Sequence, residues 1–154
     1  MTSDAFKRSL KAHQKKGFFK NLKILRGIER ESLRVTQEGN ISQNNHPSNL
    51  GSPLTSKDIT TDFAEALVEI VTPPFDSAEE LFKHLNLLHK FLYSQMGEEI
   101  LWNFSMPCAF KSEQEIKVAE YGTTNSGMLK HIYRKGLRLM YGAIMQCVSG
   151  ICLL

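Results

Sequence analysis

The sequence predicts an α+β fold, and three observations carry the prediction. Residues 22–36 and 67–71 read as strand-like segments; from Asp76 onward apolar residues recur every three to four positions, as on helices; and Gln37-Glu38-Gly39-Asn40 and Pro73-Pro74 punctuate the first part. With 154 residues, 42% of them hydrophobic and 23% charged, the chain is long enough to bury a core and too apolar to be disordered throughout.

Residues 3–16 read as a weak basic helix broken at Gly17, within an arm of residues 1–21. Lys7, Arg8, Lys11, Lys15, Lys16, Lys20, Lys23 and Arg26 stand before Glu29 against Asp4 alone, although the whole chain carries a net charge of only +3. Such an arm suits either a solvated amphipathic helix, with Phe6, Leu10 and His13 on one face, or contact with nucleic acid or an anionic surface. The absence of a zinc finger, a recognition helix or an aromatic-interleaved RNA motif argues against nucleic acid.

Strand-like segments follow over residues 22–36 and near Ile41, joined by the turn at 37–40. In an extended strand alternate side chains share a face, so Glu29 and Glu31 point the same way. A polar loop, residues 42–61, contains His46-Pro47 and Pro53. Residues 61–71 suit a strand or a helix locally, and Leu67–Val71 is preferred as strand because its residues alternate and Pro73-Pro74 ends it. Strand parity over 63–72 puts Phe63, Glu65, Leu67, Glu69 and Val71 on one face. Two readings of the acids fit: a cation clamp, in which hard oxygen ligands favour an ion such as Mg²⁺, or a solvated edge with charges cross-paired to Arg26 and Arg34. Spacing does not decide between them.

Ser77-Ala-Glu-Glu80 is a capping box, Leu81, Leu85, Leu88 and Leu92 make a helical stripe, and Gly97 supplies the stop. His84 and His89 on this helix are five apart, which is not metal-ligand spacing. A second capping box, Ser112-Glu-Gln-Glu115, predicts a short helix ending before Tyr121. A longer helix is expected over residues 126–146, burying Leu129, Ile132, Tyr133, Leu137, Met140, Tyr141 and Ile144 and turning Lys130, Arg134, Lys135 and Arg138 outward. The apolar stretch 139–154 is too short for a membrane helix. Cys108, Cys147 and Cys152 form no CxxC pair, no even disulfide set and no zinc spacing, and no secretory pattern opens the chain, so a reduced cytoplasmic setting is expected, with no membrane.

Six ordered blocks carry a family resemblance: Arg26-Gly-Ile-Glu-Arg-Glu-Ser-Leu-Arg-Val35; His46-Pro47 with Leu50-Gly-Ser52; Ile59-Thr-Thr-Asp-Phe-Ala-Glu-Ala-Leu-Val-Glu-Ile-Val-Thr-Pro73; Trp102 with Ser105-Met-Pro-Cys108; Tyr121-Gly-Thr-Thr-Asn-Ser-Gly127; and Tyr133-Arg-Lys-Gly-Leu137 through Tyr141-Gly-Ala-Ile-Met-Gln146. Together they resemble the opening third of bacterial glutamate–cysteine ligase in its proteobacterial form. The resemblance implies part of a glutamine-synthetase-like catalytic domain, an antiparallel curved sheet with outer helices, over residues 22–154. It implies ATP-dependent joining of the γ-carboxylate of L-glutamate to the amine of L-cysteine, the first step of glutathione synthesis, with Mg²⁺ as cofactor. Carried over by position, Glu29, Glu31, Asp62 and Glu69 are metal ligands. Phe63 and Tyr133 line the cysteine pocket, and Gln146 and Gly150 lie near bound glutamate.

The resemblance fails at Cys152, where the family has a histidine at the metal and substrate site; a thiolate is a poor substitute around Mg²⁺. The expectation is therefore a chain that stops inside the catalytic domain, inactive alone, without a complete catalytic set and prone to self-association. A non-catalytic remnant or interaction module, and an anionic-surface or nucleic-acid binder acting through the basic arm, are the alternatives.

Overall fold

The computed structural model describes residues 3–144 and 150–153. Helix α1, Ser3–Lys15, contains no buried residue and is followed by a 3₁₀ turn, Phe18–Asn21. The strands are β1, Ile28–Val35; β2, Ile59–Thr61; β3, Leu67–Val71; β4, Ile100–Trp102; and β5, Gly150–Leu153. Helix α2, Ala78–Gln95, lies between β3 and β4, and α3, Asn125–Tyr141, lies between β4 and β5.

All strand pairings are antiparallel, in the order β2-β3-β1-β4, with β5 also on β1. Strand β1 is thus the axis of the sheet: β3 lies along one edge, while β5 and β4 share the other end to end. The pleat then sorts side chains by parity. Val68, Ile70 and Leu101 face Leu92 and Met96, with Leu85 and Leu88 of α2 packed against them. Leu33, Val35 and Leu67 lie on the opposite face, in a second core with Phe63, Ile116 and Val118. Glu29, Glu31 and Glu69 share that second face, beyond the end of its apolar cluster.

Several expectations for individual elements hold. Ser77 Oγ accepts from Glu80 N at 3.3 Å and caps α2, and Gly97, at φ 62°, follows it. The 37–40 turn returns the chain so that Val35 pairs with Ile41. No helix among the described residues is long and apolar enough to cross a membrane.

Others are corrected. Strand β1 starts only at Ile28; upstream, Arg26 makes a single bridge to Phe75. Residues 62–66 form a turn rather than strand, with the Leu67 amide donating to Ala64 O at 2.9 Å and the Asp62 amide to Leu67 O at 3.1 Å. Glu65 consequently leaves the acidic face and is buried, accepting from the His46 amide at 2.7 Å and the Glu120 amide at 2.8 Å. The second capping box yields one 3₁₀ turn, Glu113–Glu115, because the Glu115 carboxylate folds back onto the Lys111 amide. The chain then runs extended, bridging Ala64 through Val118.

Helix α3 is the largest correction, because its two faces are exchanged. Leu129, Ile132, Tyr133, Met140 and Tyr141 are exposed, and of the expected stripe Leu137 alone packs against the core cluster. Three of the four cations turn inward instead: Arg134 pairs with Asp62, Arg138 donates to Ile116 O at 3.0 Å and Glu113 O at 2.8 Å, and Lys130 sits 4.1 Å from the Tyr121 ring centroid, while Lys135 stays exposed as expected. Close approach at the helix start fixes this pose. A Cβ on Gly127 would lie 2.4 Å from Tyr121 O, so only glycine lets the helix seat there.

Candidate metal and substrate site

The register of the sheet builds the site. Glu31 stands directly opposite Glu69 of β3 on one side and Gly150 of β5 on the other, and Glu29 stands opposite Val71 and Cys152. One ligand atom from each of Glu29, Glu31 and Glu69 lies within 4.8 Å of the others, and all three residues are half-buried. Opposed oxygens around a hard cation at about 2.1–2.4 Å are separated by roughly 4.2–4.8 Å, so the spacing of the three fits one shared ion. An acceptor-only oxygen set suits a hard cation better than softer ions.

The electrostatics point the same way. The Glu69 carboxyl is pushed up to about 8 by burial, by a hydrogen bond with Glu29 and by the negative charges of Asp62, Glu29 and Glu31. Glu31 is raised by burial and by Asp62 and Glu29, with Arg134 opposing. Crowded carboxylates on one face either retain a proton or share a cation.

Asp62 is placed differently from the other three. Its carboxylate is ion-paired with Arg134, and its backbone carbonyl accepts from the Tyr121 hydroxyl. It acts on the cluster by its field, and its oxygens are not among those gathered within ligand distance. Arg134 is the neighbour of the acids that helical periodicity missed. The signal that could have found it is the long-range acid at Asp62, which is visible only once α3 is docked.

The substrate candidates scatter. Gly150 and Cys152 flank the acids and, with Glu29, Glu31 and Ile151, line a cleft of about 240 Å³. Tyr133 lies on the exposed side of α3. Phe63 is fully buried in the core behind the site. Gln146 lies outside the described residues. On the other sheet face, Arg34 is not the exposed cross-pair of the solvated-edge reading. It is buried against Glu99 at 2.7 Å and also donates to Asn44 O and Glu65 O.

The glutamate–cysteine ligase family description matches residues 8–153. The chain belongs to that family. It is 52% identical over 127 residues to the glutamate–cysteine ligase of Pseudomonas putida strain W619, covering 82% of this chain and 24% of that protein, and 51% identical over the same length to that of Pseudomonas entomophila. The crystal structure of the Francisella tularensis glutamate–cysteine ligase in complex with AMP superimposes with a TM-score of 0.81 at 47% identity, over 84% of this chain and 26% of that one. A bifunctional glutathione synthetase from Pasteurella multocida gives a TM-score of 0.73 at 35% identity, over 84% of this chain and 16% of that one. The chain thus spans about a quarter of the length of the curated ligases it matches. These likenesses agree with the antiparallel sheet and outer helices described above.

Proposed function

We propose that the chain supplies the acidic half of a metal site in an ATP-dependent glutamate–cysteine ligase acting in the cytoplasm on L-glutamate and L-cysteine. The observation that carries the reading is the convergence of Glu29, Glu31 and Glu69 from two paired strands onto one face of a sheet shared with this family. The AMP held by the Francisella protein supports an adenine nucleotide as co-substrate.

In this reading the γ-carboxylate of glutamate attacks the terminal phosphorus of ATP and ADP leaves; the amine of cysteine then attacks the acyl phosphate, expelling phosphate and losing a proton. A bound Mg²⁺ supplies charge neutralisation for the phosphates. Glu29, Glu31 and Glu69 would hold it. Arg134 keeps Asp62 beside them, limiting the negative field that acts on Glu31. Gly150, lacking a side chain, leaves room next to Glu31 for substrate, and Tyr133, Phe63 and Gln146 retain the substrate-lining roles the family resemblance implies.

The test is a chimera in which residues 8–153 replace the matching segment of the P. putida ligase, made with Cys152 and with Cys152→His. Cysteine-dependent ADP release is expected, greater in the Cys152→His form. It should fall at least about 100-fold in Glu29→Gln or Glu69→Gln, since each amide removes one charge from the ion's shell. A folded Cys152→His chimera without cysteine-dependent turnover would overturn the proposal.

A further inference from the structure

We propose a second ligand site, separate from the carboxylate cluster: an anion cleft between α3 and residues 114–120, taking a small organic di- or polyanion. The cleft measures about 470 Å³, within the usual range for small-ligand pockets, and Gln114, Lys117, Glu120, His131, Lys135 and Arg138 are among its lining residues.

The cations that line the cleft are not neutralised by ion pairs within the described residues. Among the described residues the ion pairs are Lys23–Asp76, Arg34–Glu99 and Arg134–Asp62, and none lies at this cleft. Lys117 instead donates to Gln43 O at 2.6 Å. The Arg138 guanidinium donates to the carbonyls of Ile116 and Glu113. Neutral carbonyls hold these cations without cancelling their charge, and Lys135 adds a third. Glu120, the acid at the rim, leaves the lining net positive. An anion entering there meets an Arg138 guanidinium already ordered by two carbonyls, with the exposed Lys117 and Lys135 adding positive charge beside it. Val118 and Leu139 complete the lining, which suits an anion with an organic body better than a bare inorganic ion.

Phosphate and carboxylate groups share the required chemistry, and two probes separate them. Isothermal titration of residues 1–154 with inorganic pyrophosphate and with citrate, in EDTA at fixed ionic strength, is expected to give saturable binding of at least one. Pyrophosphate alone would mark a phosphorylated ligand, and citrate alone a polycarboxylate. Lys135→Gln, which removes a side chain with no ion-pair partner among the described residues, should weaken binding about five-fold by loss of one charge-assisted contact. The Lys117→Gln/Lys135→Gln pair should weaken it further, whereas Glu69→Gln should leave it unchanged. Absence of saturable binding of both probes, or equal affinity in the wild-type and doubly substituted chains, would overturn the site, and either result would leave the ligase reading untouched.

Discussion

Glu69 holds a proton in the folded chain over a pH range in which the unfolded chain has lost it. With the folded value near 8 and the ordinary value 4.5, the folded state binds more protons between them. The stabilisation is therefore fully present below the ordinary value and is lost as pH rises through about 8. Glu31 is shifted in the same direction. His46 and His89, both lowered chiefly by burial, act oppositely but titrate lower, near and below about pH 6.5. Without Mg²⁺, the melting temperature should accordingly drop by a few degrees between about pH 6.5 and 8.5, and Glu69→Gln should flatten that slope. An unchanged slope in the variant would show that the proton resides elsewhere. At this scale the sequence was informative, since strand parity alone puts Glu29 and Glu31 on one side. That Glu69 faces Glu31 directly was not legible, because the register depends on packing between segments far apart in the chain.

Among the elements, α3 shows how periodicity can find a face and misassign it. The spacing of Leu129, Ile132, Tyr133 and Met140 does define one side of the helix. Which side meets the sheet is decided instead by Asp62, by the carbonyls of Glu113 and Ile116, and by the approach that Gly127 permits. The parity reading of Glu65 failed for a related reason: alternation does not carry past a turn, and residues 62–66 make a turn. Arg34 presents the same limit, since its partner Glu99 follows a whole intervening helix. Arg34→Met should cost about 3–5 kcal/mol in denaturant unfolding, because it strands the buried Glu99 carboxylate. The double variant Arg34→Met/Glu99→Leu should recover a large part of that loss, and failure to recover would mean that the hydrogen bonds to Asn44 O and Glu65 O matter more than the charge pair.

For the molecule as a whole, the sheet has one face closed by α2 and another that is apolar at one end and acidic at the other. Around it, Ile132, Tyr133, Met140 and Tyr141 of α3 and Ile151 and Leu153 of β5 remain exposed. Apolar surface of this kind beside an open strand edge favours association. Residues 1–154 in isolation should sediment as oligomers at micromolar concentration, and Ile132→Lys with Met140→Lys should shift them toward monomer. A monodisperse wild-type monomer would exclude this. The order in which the sheet's axis acquires its neighbours has a consequence for synthesis. Strand β1 receives β3, then β4, then β5 in chain order. Strands β1 and β3 alone bring the three carboxylates together, so an N-to-C folding intermediate that lacks β5 already carries their repulsion and is expected to relieve it with a proton or a captured cation before β5 is added.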